Sequence, residues 1–252
     1  MKLTRLFPLL ILSILLIACN DDDNNETELQ PLTFEKESYE VLSEIDNYIT
    51  IRSGNQHYTI TVEDKDILDA NPMIFEGSPS PGQIVVKGKK KGQTTITVKD
   101  NMTSDEVKLK IKVTDFYIMN RVLKSNHDLF ADDQLLFLIK NEKKDFYIYS
   151  VNNTQDKFSL STKGNYEFLF EDQIPYLRLS YEDAGKENKT YKFDIKSSDE
   201  GALSLYNNYF ELGWYSQRNT SPVQYLLKLK NQDTEVSLVI SFSAFMPEGV
   251  LE

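Results

Sequence analysis

Gly92-Gln93-Thr94-Thr95-Ile96-Thr97-Val98-Lys99-Asp100 is the stretch whose pattern decides the fold. Ile96 and Val98 fall on one face of an extended chain and Thr95 and Thr97 on the other, the period-two signature of a half-buried strand. Working outward, Val107, Leu109, Ile111 and Val113 repeat the alternation downstream. Upstream, Ile84-Val85-Val86 runs into Lys87-Gly88-Lys89-Lys90-Lys91-Gly92, whose glycines permit the positive φ of a hairpin or bulge. Tyr58-Thr59-Ile60-Thr61-Val62 alternates again, and Tyr48-Ile49-Thr50-Ile51 leads into a Gly54-Asn55 turn. No long amphipathic helix fits between residues 32 and 115. Short strands at even spacing predict a small β-sandwich there.

Gly54-Asn55, Tyr58-Thr59-Ile60, Asp66-Ile67-Leu68, Gly88 and the Gly92–Asp100 run together resemble the bacterial Ig-like domains of group 2 type. The resemblance covers about a third of the chain and centres on its Gly-x-Thr-x-Ile-x-Val core. It implies a sandwich used as a spacer or adhesive module of Bacteroidota surface lipoproteins, with no catalytic residues to carry over. One departure is the longer connection from Asn71 to Gln83, which holds Met73-Ile74-Phe75 beside Pro79 and Pro81.

Residues 116–252 resemble no family but are again β in pattern. Leu135 to Ile139, Phe146 to Val151, Tyr166 to Phe170, Leu177 to Tyr181 and Tyr191 to Ile195 read as strands. So do the alternations Phe210/Leu212/Trp214, Tyr225/Leu227/Leu229 and Val236/Leu238/Ile240/Phe242. Eight or more strands predict a second sandwich or a barrel. The domain boundary is placed near Asp115, where a strand ends and aromatic content rises. The fold class expected is therefore all-β, an Ig-like sandwich (32–115) followed by a second β domain (116–252).

The N-terminus carries an address. Lys2 and Arg5 precede an apolar run from Leu6 to Ala18, too short for a span of ~20 residues and laid out as a signal peptide (1–18). Leu16-Ile17-Ala18-Cys19 resembles the lipobox of bacterial lipoproteins, which implies lipidation of Cys19, the chain's single cysteine. The alternative is an ordinary cleaved signal with a chance cysteine. Asp21-Asp22-Asp23 resembles the acidic export signal of Bacteroidota surface lipoproteins; read without that likeness, it is a solvated tether (19–31). The implied location is the outer membrane, lipid-anchored and facing outward.

Without residues 1–18 the chain has 26 basic against 39 acidic side chains, a net charge of −13. Such acidity argues against nucleic acid as a partner. With Cys19 acylated no thiol remains for a disulfide, so stability rests on apolar cores. Nothing in the sequence calls for a cofactor. The two histidines, His57 and His127, are far apart, lack metal-ligand spacing and read as surface turn residues. Asp132-Asp133 and Glu63-Asp64-Lys65-Asp66 lack the order of a calcium loop and read as solvated turns. The lysines at 87 and 89–91 read as a solvated hairpin tip.

The aromatic stretch Tyr206 to Arg218 reads as a strand, with Phe210, Leu212 and Trp214 facing the core and Tyr209, Glu211 and Tyr215 facing out. Tyr209, Tyr215 and Arg218 are then the candidate glycan-binding residues, on a face opened by Gly213. The functional expectation is a non-enzymatic surface protein that binds a glycan or a protein. The alternatives are a carbohydrate hydrolase in residues 116–252 and a structural subunit of an outer-membrane complex.

Overall fold

The computed structural model describes residues 28–152, 157–214, 225–241 and 245–251. Among these residues the fold is all-β, as the alternations predict, with one helix that they do not. The first eight strands are β1 (Thr33–Phe34), β2 (Ser38–Leu42), β3 (Asp46–Ser53), β4 (Tyr58–Val62), β5 (Leu68–Met73), β6 (Gln83–Gly88), β7 (Gly92–Asp100) and β8 (Glu106–Thr114). They form two four-stranded sheets, β1-β3-β6-β5 and β2-β8-β7-β4, in which β2 and β8 run parallel. Ile96, Val98, Leu109, Ile111 and Val113 meet Ile49, Ile51, Leu68, Ile84 and Val86 in one buried layer. The alternation along β7 is thus the sandwich core itself.

Two local expectations change. The lysine-rich turn is no hairpin tip, because β6 and β7 lie in different sheets and residues 89–91 carry the chain across. Gly88 serves packing instead: a Cβ there would sit 2.6 Å from Val113 Cγ1. The long connection from Asn71 to Gln83 also shortens, since its first residues belong to β5, which pairs with β6 through Pro72 opposite Ile84. A proline is tolerated there because β5 is an edge strand.

Beyond a two-residue joint, Asp115-Phe116, come β9 (Tyr117–Ser125), β10 (Leu135–Ile139), β11 (Asp145–Asn152), β12 (Lys157–Glu171), β13 (Ile174–Glu182), β14 (Asn188–Asp194), α1 (Glu200–Phe210), β15 (Leu226–Asn231) and β16 (Thr234–Ile240). Of the two architectures left open, sandwich or barrel, this is a closed barrel. Every strand pairs antiparallel with its sequence neighbour, and β16 closes on β9. Ile118, Val122, Leu136, Leu138, Phe146, Leu177, Leu179, Phe193, Leu229 and Leu238 fill the interior. On the outside, β12, β13 and β14 carry polar rows: Glu167, Arg178 and Lys192 lie across these three strands, as do Asn165, Ser180 and Thr190, whereas β9, β10 and β11 present Tyr117, Met119, Phe137 and Tyr149. No helix among the described residues is long and apolar enough to cross a membrane.

The strand read over Phe210, Leu212 and Trp214 is overturned. Residues 200–210 are α1, and its buried positions Ala202, Leu203 and Tyr206 follow helical rather than alternating spacing. Asp199 precedes it in extended conformation, and Glu211 ends it in the left-handed region at φ 54°. The helix enters from the barrel seam, where β14 and β15 share only the Asp194–Lys230 register pair. There the Asp199 N–H donates to the Leu226 carbonyl at 2.9 Å, and the Lys228 N–H donates to Ser198 Oγ at 2.9 Å.

Inside, α1 plugs the barrel. Tyr206 is wholly buried, stacks on Phe210 at 5.9 Å, and donates its hydroxyl to Asn120 Oδ1 at 2.6 Å. Asn120 points inward from β9, and its amide reaches the Leu136 carbonyl. Burial pushes the Tyr206 phenol pKa well up, so it stays a donor. Trp214, expected as core on a strand, instead half-covers Phe168 and Phe170 beyond the helix end.

Candidate ligand-binding groove

Sandwich and barrel are joined by more than the Asp115-Phe116 joint. Lys140, at the end of β10, reaches Glu44 in the sandwich at 2.8 Å and Glu211 at the end of α1 at 2.9 Å. Burial works against the Lys140 charge, but these two carboxylates outweigh it and raise its pKa. Residues 245–251 form a second tie. Met246 and Leu251 are buried against Tyr117, Met119, Phe137 and Tyr149 on the outside of the barrel. The same segment reaches the sandwich through Glu248 to Lys36 at 2.7 Å, the Gly249 N–H to Glu40 at 3.0 Å, and the Leu251 carbonyl to Lys112 at 2.6 Å.

Where this strap meets the outer face of the β2-β8-β7 sheet, it leaves a groove of about 740 Å³. The sheet supplies Ser38, Glu40, Gln93, Thr95, Lys110 and Lys112; the turn after β4 adds Glu63 and Asp64, and the strap adds Glu248. These side chains point outward because their neighbours Tyr39, Thr94 and Ile111 point into the sandwich or its margin. The sequence signal is the polar half of the alternation that defines β7 and β8. Lys112 and Glu40 are occupied with each other and with the strap. The side chains of Ser38, Glu63, Gln93, Thr95 and Lys110 make no hydrogen bond or ion pair with any described residue. A hydroxyl, an amide, a carboxylate and an ammonium thus face one open groove with their capacity unspent.

The residues singled out from sequence are placed differently. Tyr209 lies on α1, half-buried and stacked on Phe116 at 4.7 Å and 16°. It therefore lies on no strand face. Tyr215 and Arg218 lie outside the described residues, as do Cys19, Asp21, Asp22 and Asp23. His57 is an exposed turn residue, as expected.

His127 is not a surface residue: it is 6 % exposed, and its ring lies edge-on to Tyr191 at 4.4 Å and to Phe193 at 5.0 Å. Its Nδ1 accepts the Leu129 N–H at 3.1 Å, so the turn is right and the burial was missed. Asp132 caps the Ser125 N–H and Asp133 pairs with Arg121, which leaves both as turn residues. No group of three His, Cys, Asp or Glu side chains able to hold a metal occurs among the described residues.

Burial lowers the His127 pKa, with the Asp128 carboxylate opposing it. A base whose folded pKa lies below its unfolded value, ~6.5, stabilises fully above that value and loses the contribution as pH falls through the folded one. Urea midpoints are therefore expected to fall between pH 7 and pH 5. His127→Asn, which keeps an acceptor for the Leu129 N–H, is expected to flatten that fall; an unchanged slope would place the titration elsewhere.

These features define the class: an all-β protein made of a sandwich tied to a filled, up-and-down eight-stranded barrel. No protein-family model matches the sequence, and no curated protein is similar to it. Among solved structures, domains 5–6 of the S-layer protein SbsC are similar at 14 % identity and a TM-score of 0.26, over 66 % of this chain and 96 % of that one. SbsC domains 4–9 are similar at 13 % identity and a TM-score of 0.27, over 66 % of this chain and 31 % of that one. At TM-scores this low the likeness carries nothing about partner, location or activity.

Proposed function

We propose that this chain is a lipid-anchored cell-surface protein that binds a polar, hydroxyl-rich ligand, of the glycan class, in the groove between its sandwich and its strap, without turning it over. The carrying observation is the unspent donors and acceptors of Ser38, Gln93, Thr95, Glu63 and Lys110 around one open concavity. A sugar offers matching hydroxyls, and mixed charge across the groove favours a neutral ligand over a strongly charged one. The barrel supports the reading from the other side. Its interior is occupied by side chains and by α1, so a ligand is met on the outside.

Anchoring rests on the lipobox and the signal layout, with the Ig-like sandwich as spacer and the acidic tether lifting it from the lipid. On a glycan array the wild type is expected to bind saturably, and Gln93→Ala with Lys110→Ala to lose at least tenfold in affinity at unchanged melting temperature. Turnover of a bound glycan would overturn the non-catalytic reading. Cys19→Ala is expected to move the protein from the membrane fraction to the soluble one; continued sedimentation after a high-salt wash would count against lipidation.

A further inference from the structure

The sandwich has four sheet edges, and three are closed. β1 is two residues long and breaks register on β3. β5 carries Pro72, whose missing N–H falls on the side away from β6. β2 has the N–H and carbonyl of Leu42 both bonded by the Asn47 side chain, and the strap runs past Glu40. β4 has none of these devices. Its sequence, Tyr58-Thr59-Ile60-Thr61-Val62, holds no charge, proline or glycine and is mostly β-branched. Undefended edges of this kind are templates for another strand.

The hydrogen bonds fix which backbone groups are free. The His57 carbonyl accepts the Asn101 N–H at 2.7 Å, and the Glu63 N–H donates to the Thr95 carbonyl at 3.0 Å. Residues 57, 59, 61 and 63 therefore face β7, and the backbone of Tyr58, Ile60 and Val62 faces away. No described residue bonds those outward groups. Beside them lies a cleft of about 270 Å³, lined by Ile60, Thr61 and Val62 on one side and by Lys65 and the β5 residues Asp69, Ala70 and Asn71 on the other.

We propose that β4 is a homotypic interface: two copies of this chain pair their β4 strands antiparallel about a twofold axis at Ile60. The two β2-β8-β7-β4 sheets become one of eight strands. A second copy is favoured because the strand is complementary to itself in the one register that uses its free backbone groups. Ile60 then faces Ile60, Tyr58 faces Val62, and Thr59 faces Thr61, which are pair types that stabilise antiparallel sheets. At each end the His57 imidazole meets the Glu63 carboxylate of the second copy, and no like charges are opposed. In a chain of net charge −11 this uncharged strip is where two copies repel least. Five residues a side fall short of the area of a stable interface, so the pairing is weak and is felt at high local density. This interface does not rest on the glycan reading.

Disulfide trapping reads weak pairing and its register together. In the proposed register Thr59 and Thr61 of the second copy are a non-hydrogen-bonded pair with Cα atoms about 4.5 Å apart, within disulfide reach. Thr59 and Thr59 of the two copies lie roughly 8 Å apart, beyond the ~7 Å limit. Full chains carrying Cys19→Ser with either Thr59→Cys or Thr61→Cys would be oxidised alone and as an equimolar mixture. The expected result is at least tenfold more covalent dimer in the mixture than in either variant alone. Equal yields in all three samples, dimer from single variants only, or no dimer at all would each overturn the proposal. Both positions are exposed, so unchanged melting curves are expected to accompany any outcome.

Discussion

Tyr206→Ala is expected to destabilise the barrel by ~3–5 kcal/mol, the cost of truncating a large buried aromatic. The ring is fully buried and packs between Phe168 and Phe210. Its loss opens a hole where α1 meets the strands, and it strips Asn120 of the hydroxyl bonded at 2.6 Å. Tyr206→Phe separates the two effects. It keeps the packing and leaves Asn120 Oδ1 without its donor, at a cost of ~1–3 kcal/mol. Chemical denaturation of the two variants checks this. If both melt like wild type, α1 is not the plug of the barrel.

Gly164→Ala is expected to cost at least the ~1–3 kcal/mol typical of overpacking. A Cβ at this position would lie 2.1 Å from the Ser180 carbonyl oxygen, 2.8 Å from Tyr181 Cβ and 2.9 Å from the Phe146 ring. The first of these is backbone and cannot swing aside. Gly164 sits partway along the fifteen-residue β12, opposite both Phe146 and Tyr181, where the neighbouring strands approach closely. Gly77 offers the contrast for space alone, since nothing lies within 4 Å of a Cβ there, although its φ of 73° still favours glycine. Equal melting curves for Gly164→Ala and wild type would contradict the close approach.

Strands with a clear pattern were legible from sequence: β4, β7, β8, β11 and β13 appear where apolar and polar residues take turns, and β10 where the apolar run Leu135–Ile139 is buried on both faces. Those missed each have a reason in physics. β5 hides behind Pro72, which is allowed only because the strand is an edge. β9 carries Asn120 on its inner face, a polar residue made tolerable by Tyr206 some 86 positions away. The helix was misread because Phe210, Leu212 and Trp214 alternate by chance. The i, i+1, i+4 spacing of Ala202, Leu203 and Tyr206, opened by Asp199 and Glu200, was the signal available.

Long-range features were less accessible still. Which sheet receives β7 after the lysine-rich turn, and that β16 returns to β9, depend on partners far off in sequence. The groove was half legible. Gln93, Thr95, Lys110 and Lys112 are the polar positions of alternating strands, but residues 248–251 reach them only in the fold.

Amide chemical-shift mapping with neutral oligosaccharides tests the location of binding most directly. Saturable shifts are expected, confined to Ser38, Glu63, Gln93, Thr95, Lys110 and the strap, with the barrel interior unmoved. Shifts centred on Phe146, Leu179 and Phe193 inside the barrel, with the groove silent, would contradict it.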